Sequence, residues 1–243
     1  MSHRSDCYPR NSHQYIYVSI DLAIRYTEIL MGFSFILQSI EHLRLFTIER
    51  ILFSCRIILS LFIILDLFVA WSLFFLLLLS LALLRQFQGP FNGGADRMGL
   101  LILSCLCLAH FSPSQRWQEI ALAYLAVQLV LSYFISGWVK VVNPDWRSGK
   151  ALIEVFDYST YPVSESLRGL KNFPGLLFYF SWAVILLELL FVFSLMSEYL
   201  LIVALVFTAI FHFTNACIFG LNRFFWIWIA SYPSLIWFQT RIT

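Results

Sequence analysis

Lys140, Glu188, His212 and Asn215 are the side chains of this sequence most able to do chemistry, and each stands in or at the end of a long apolar run. Hydrocarbon has no water to satisfy a polar group, so such residues must pair, line a cavity or act. A lysine at the bilayer centre costs about 2.5–3.5 kcal/mol on insertion scales. Lys140 lies in the stretch YFISGWVKVVNPDWRSGKAL (133–152), which closes one apolar run and stops at Asn143-Pro144. Gly137 in that stretch permits close backbone approach, and Tyr133 and Trp138 supply aromatic walls.

Three roles are open to the lysine. Desolvated in an apolar pocket it becomes a base; beside Glu188 it is half of an ion pair; past the helix end it only snorkels to the headgroups. Glu188, embedded in LLELLF, is either a counter-ion or a pocket group. His212 and Asn215 stand at i and i+3 and share one helix face. They line the same pocket or serve as hydrogen-bonding glue between helices. Gln128 and Arg223 are more marginal.

The elements that hold these residues are set by composition. The 243 residues are 60% hydrophobic, 18% aromatic and only 12% charged, with mean hydropathy +0.79. Soluble domains hold about 25% charged residues. The expected fold class is all-α, a polytopic integral membrane bundle of about seven to eight transmembrane helices. The short alternating segments of a membrane barrel are missing. Candidate spans are Val18–Ser39, Ile51–Leu65, Leu67–Leu84, Met98–Phe111, Trp117–Val142, Phe173–Met196, Tyr199–Phe219 and Phe224–Phe238. The second and third share one overlong run split at Asp66; a single tilted helix is the alternative. Asp21, Arg25 and Glu28 share a face of the first span and can pair. Pro233 is expected to kink or end the last span.

The division is a polar tail over 1–17 and a single transmembrane domain over 18–240. The tail lacks a signal-peptide layout. The five cysteines show no metal-ligand spacing and read as buried free thiols. A net charge of +2 without a basic cluster argues against nucleic-acid binding. Soluble-type motifs such as HExxH, GxSxG, CxxC or a phosphate loop do not occur. Most Lys and Arg fall in the connections at 40–50, 85–97, 143–172 and 222–223, and the positive-inside rule puts that side in the cytoplasm.

The order Asn92-Gly93-Gly94-x-Asp96, then Tyr133-Phe-x-Ser-Gly137-x-x-Lys140, then Pro144-Asp145-Trp146-Arg-x-Gly149-x-Ala151-Leu152 resembles the horizontally transferred transmembrane (HTTM) domain. Leu187-Glu188-Leu189-Leu190, Phe211-His212-x-x-x-Ala216 and Gly220-x-Asn222-x-Phe224 resemble its later helices. This domain is the membrane portion of the vitamin K-dependent gamma-glutamyl carboxylases and of many small bacterial proteins. The resemblance implies Lys140 as the base that deprotonates a reduced, vitamin K-like quinone, with His212 beside it as a catalytic group. Tyr133, Gly137, Trp138, Glu188 and Asn215 are then the substrate and cofactor pocket, and no metal is implied. Residues 1–243 are expected to hold no counterpart of the large extramembrane domain of the carboxylases, and their lysine pair is Val139-Lys140 here.

Two functions therefore stand as expectations for a multi-pass protein of the inner or plasma membrane. One is a quinol-dependent, carboxylase-like enzyme acting on a peptide or protein. The other is a non-catalytic factor that works with a partner protein in the maturation or export of a small peptide. A transporter ranks third, because no inverted halves or paired broken spans are visible.

Overall fold

The computed structural model describes residues 18–43, 47–86, 93–112, 114–158 and 165–242. The polar tail over 1–17 and Asn92 lie outside these residues. Among them no strand occurs, and the chain is a bundle of helices. The long ones are α1 (Ile20–His42), α2 (Thr47–Ile64), α3 (Val69–Gln86), α4 (Gly93–Phe111) and α5 (Gln115–Val142). Short helices follow: α6 (Pro144–Arg147), α7 (Lys150–Tyr158) and α8 (Glu165–Arg168), then a 3-10 turn at Gly169–Asn172. The bundle closes with α9 (Pro174–Leu190), a 3-10 extension at Phe191–Met196, α10 (Glu198–Phe219) and α11 (Asn222–Ile242).

Among the described residues, four stretches are long and apolar enough to cross a membrane: Gly94–Phe111, Gln115–Val142, Pro174–Met196 and Glu198–Phe219. The last two bury only 28% of their apolar windows, so α9 and α10 turn broad apolar faces outward, as lipid-facing helices do. Val69–Arg85 is apolar but shorter, while α1, α2 and α11 carry more polar residues.

The overlong apolar run breaks where Asp66 interrupts it. Asp66 and Phe68 take positive φ, 61° and 48°, which reverses the chain between α2 and α3. The turn is tied down from α1. Arg25 donates to the Ile63 and Ile64 carbonyls at 2.7 Å each, capping the last carbonyls of α2; that of Ile63 also accepts from the Asp66 amide at 3.1 Å. Arg25 also pairs with Glu28 at 3.0 Å, and Glu28 bonds His110 of α4. Asp21, read as a third member of that face, is exposed in the first turn instead.

The interior is built around α1 and α11, which pack together along their length; α11 also meets α4, α5 and α10. Met31, Ile102, Leu129, Ile227 and Leu235 fill it. Several buried hydroxyls are satisfied by the turn behind them, as in Thr27 to the Ala23 carbonyl at 2.8 Å and Ser39 to that of Phe35 at 2.6 Å. Pro233 does not end α11, which continues to Ile242. The expectation of buried thiols holds for Cys105 and Cys107 but not for Cys55 and Cys217, which are exposed.

The polar connection after α5 is ordered helix as far as Tyr158. Asn143 caps α6, its Oδ1 accepting from the Asp145 amide at 2.9 Å. The Ser181 hydroxyl donates to the Trp146 carbonyl, and Trp182 Nε1 to the Arg147 carbonyl at 3.0 Å. These bonds fasten the connection to the middle of α9, beside the end of α5 where Lys140 sits.

Candidate functional site

The lysine and the glutamate meet. Lys140 Nζ lies 2.6 and 2.8 Å from the two Glu188 oxygens and 2.6 Å from Ser136 Oγ. Ser136 in turn donates to Glu188 Oε1 at 3.1 Å, so a hydroxyl bridges the pair. Both charged side chains are withdrawn from solvent, at 15% and 5% exposure, and the Trp146 ring lies 5.1 Å from Nζ. A buried ion pair repays its desolvation only when the remaining hydrogen-bonding capacity is filled, which Ser136 helps to do.

This approach depends on Gly137. A Cβ there would come within 2.9 Å of the Leu189 amide nitrogen, so α5 and α9 touch backbone to backbone. Lys140 follows almost one turn later, facing the carboxylate.

Across the cavity, Tyr133 OH and His212 Nε2 are 2.8 Å apart, both residues buried. The other imidazole nitrogen, Nδ1, is buried without a partner among the described residues. Trp228 stands edge-on to His212, with centroids 5.5 Å apart, and Phe191 lies against Tyr133 at 4.2 Å. Behind them the Thr208 and Tyr232 hydroxyls are 2.9 Å apart.

These groups enclose a cavity of about 210 Å³. Lys140, Glu188, Tyr133, His212 and Asn215 line it together with Ser136. Asn215, one turn from His212, makes no side-chain hydrogen bond among the described residues. Two residues read from the sequence sit elsewhere. Gly137 is at the helix contact rather than on the cavity wall. Trp138 faces away: it is 57% exposed and stacks on Phe134 at 6.5 Å. The reason is helical geometry, since residues two apart point to opposite faces. Ser136 was the residue missed, although its place four before Lys140 puts it on the lysine's own face.

The cavity combines apolar Trp228 and Phe224 walls with the Lys140–Glu188 pair and His212, a mostly apolar enclosure with a few convergent polar groups.

The HTTM domain model matches residues 109–240, more than half of the chain. The chain belongs to the HTTM family. Comparisons with curated proteins and with solved structures returned no match. The HTTM match takes in every residue that lines the Lys140 cavity. Helices α1 to α3 precede it, yet α1 packs against α11 within it.

Proposed function

We propose that this HTTM protein is a multi-pass enzyme of the inner or plasma membrane, quinol-dependent and carboxylase-like, with Lys140 as its proton acceptor. The observation that carries the reading is the single cavity on which a lysine–glutamate pair and an unsatisfied buried histidine converge. When bound, a quinol would supply a ring hydroxyl whose proton has to leave. The chain's own residues then have distinct tasks. Lys140 is held by both Glu188 oxygens, so its nitrogen becomes free to accept a proton only after passing one to Glu188 or after the pair opens. Ser136, bonded to both, is placed to pass that proton. Tyr133 fixes the His212 ring through Nε2 and leaves Nδ1 without a partner among the described residues. The aromatic walls exclude water, which strengthens these interactions.

A second reading has an observation in its favour. Lys140 Nζ already has three acceptors within 2.8 Å, as a purely structural ammonium would. In that case the protein is a non-catalytic factor acting with a partner protein on the maturation or export of a small peptide.

Lys140→Arg beside Lys140→Ala separates the two. Arginine keeps the charge and the pairing but is effectively never deprotonated. Oxygen uptake on adding reduced vitamin K to the protein in nanodiscs is the assay. The enzyme reading expects uptake by the parent protein and its loss in both variants, with the arginine form still assembled. Full uptake in the arginine form would end the base role.

A further inference from the structure

A second polar cavity, of about 40 Å³, lies where α1, α2, α3, α4 and α11 meet. Arg56, Ser80, Asp96 and Arg223 face it. Asp96 and Arg223 come from the first turns of α4 and α11, which places that end of the cavity toward the headgroups, while Arg56 and Ser80 lie further along α2 and α3. Arg223 is engaged: its Nη2 is 2.5 Å from His42 Nε2, and its Nε is 3.7 Å from Glu41. Asp96 accepts from Gln38 Nε2 at 3.1 Å.

Arg56 is different. It is 4% exposed, and among the described residues its guanidinium has no hydrogen bond and no carboxylate within ion-pair distance. The Phe35 ring lies 3.9 Å away, and Asp96 attracts the guanidinium from beyond ion-pair distance. The Ser80 hydroxyl oxygen on the same wall is also buried and unpartnered. Buried charges persist when they are paired. Here a planar fork of donors, a second cation and an unused hydroxyl open on one small space, and the Asp96 carboxylate offsets part of that positive charge without an ion pair to Arg56.

We propose that this cavity binds one small oxyanion, taken by the Arg56 fork and the Ser80 hydroxyl with Arg223 as the second cation. The guanidinium fork matches the spacing of two oxygens on a phosphate or carboxylate. Size restricts the choice. A water needs about 10–15 Å³ of such space, so the cavity takes the head of one oxyanion and no nucleotide. The anion has two sources, free in solution or the phosphate of an anionic lipid headgroup. Four of the five helices begin before residue 109, so the site is built largely outside the HTTM match.

The test is the thermal unfolding midpoint of the purified protein in two settings. In detergent, sodium phosphate is compared with sodium chloride at equal ionic strength. In nanodiscs, phosphatidylcholine alone is compared with phosphatidylcholine containing phosphatidylglycerol. A ligand at tenfold its dissociation constant raises the midpoint of a chain this long by about 3–5 °C. A rise with phosphate identifies a free anion; a rise with phosphatidylglycerol alone identifies a headgroup. Either rise is expected to vanish in Arg56→Gln and to shrink in Ser80→Ala. The serine variant removes no charge, so it decides the matter even where Arg56→Gln fails to assemble. No rise in either setting, or one that Ser80→Ala and any assembled Arg56→Gln leave undiminished, overturns the proposal: the cavity then holds only water, or the anion binds elsewhere.

Discussion

A Cβ added at Gly137 would stand 3.0 Å from the Cβ of Glu188, closer than side chains normally pack. Gly137→Ala therefore has to push α5 from α9 at the level where Lys140 reaches its carboxylate. We expect a loss of about 1–3 kcal/mol, the usual cost of overpacking, measured by unfolding in detergent. Gly175→Ala is the control: nothing lies within 4 Å of its added Cβ, so it should be neutral or stabilising by about 0.5–1 kcal/mol.

The ion pair should show the asymmetry of buried charges. Lys140→Ala strands the Glu188 carboxylate with Ser136 alone and should cost about 3–5 kcal/mol. The double variant Lys140→Met with Glu188→Leu removes both charges and should recover most of that stability. A double variant no more stable than Lys140→Ala would show that the pair is not what holds α5 to α9.

Tyr133→Phe deletes the partner of His212 Nε2 and leaves both imidazole nitrogens without a bond. The expected loss is about 1–3 kcal/mol, the cost of an unsatisfied buried group. His212→Phe, which removes the need for a partner, should cost less than Tyr133→Phe in the same unfolding assay. The reverse order would mean that the imidazole packs rather than bonds.

His42 gives a pH dependence at the end of α1, beyond the apolar stretch that closes at Ser39. Burial lowers its pKa from the ordinary 6.5, and the Arg223 guanidinium lowers it further; Arg56 does so weakly, while the Gln38 carbonyl and Glu41 oppose. The folded protein then binds fewer protons than the unfolded chain just below pH 6.5. Its contribution is intact above that pH and is lost as the pH falls toward the lowered folded value. The unfolding midpoint should drop across that window in the parent protein, and drop less in His42→Gln.

The sequence carried the helices well because their signals are local. Asp66 in an apolar run marks a break, and Asn143-Pro144 marks a stop. The Lys140–Glu188 pair was legible too, since hydrocarbon leaves a lone lysine and a lone glutamate few other solutions. The Arg56 cavity was not legible. Its residues come from five helices scattered between 35 and 223, and no spacing along the chain announces such a meeting. Trp138 misled because proximity in sequence was read as proximity in space. The reason for Gly94 was hidden as well: a Cβ there would strike the Phe224 ring, 2.5 Å away, so the glycine makes room for a wall of the Lys140 cavity.

The start of α11 borders both cavities. Leu221 and Phe224 face the Lys140 chamber, while Arg223 between them faces the Arg56 chamber. Just before them Gly220 ends α10 in the left-handed conformation, φ 68°. One turn with a side in each room works like a party wall, because reseating it for one tenant alters the footing of the other. Thermodynamic linkage then requires the influence to be mutual: whatever factor an occupant of one chamber applies to affinity in the other, it receives back unchanged.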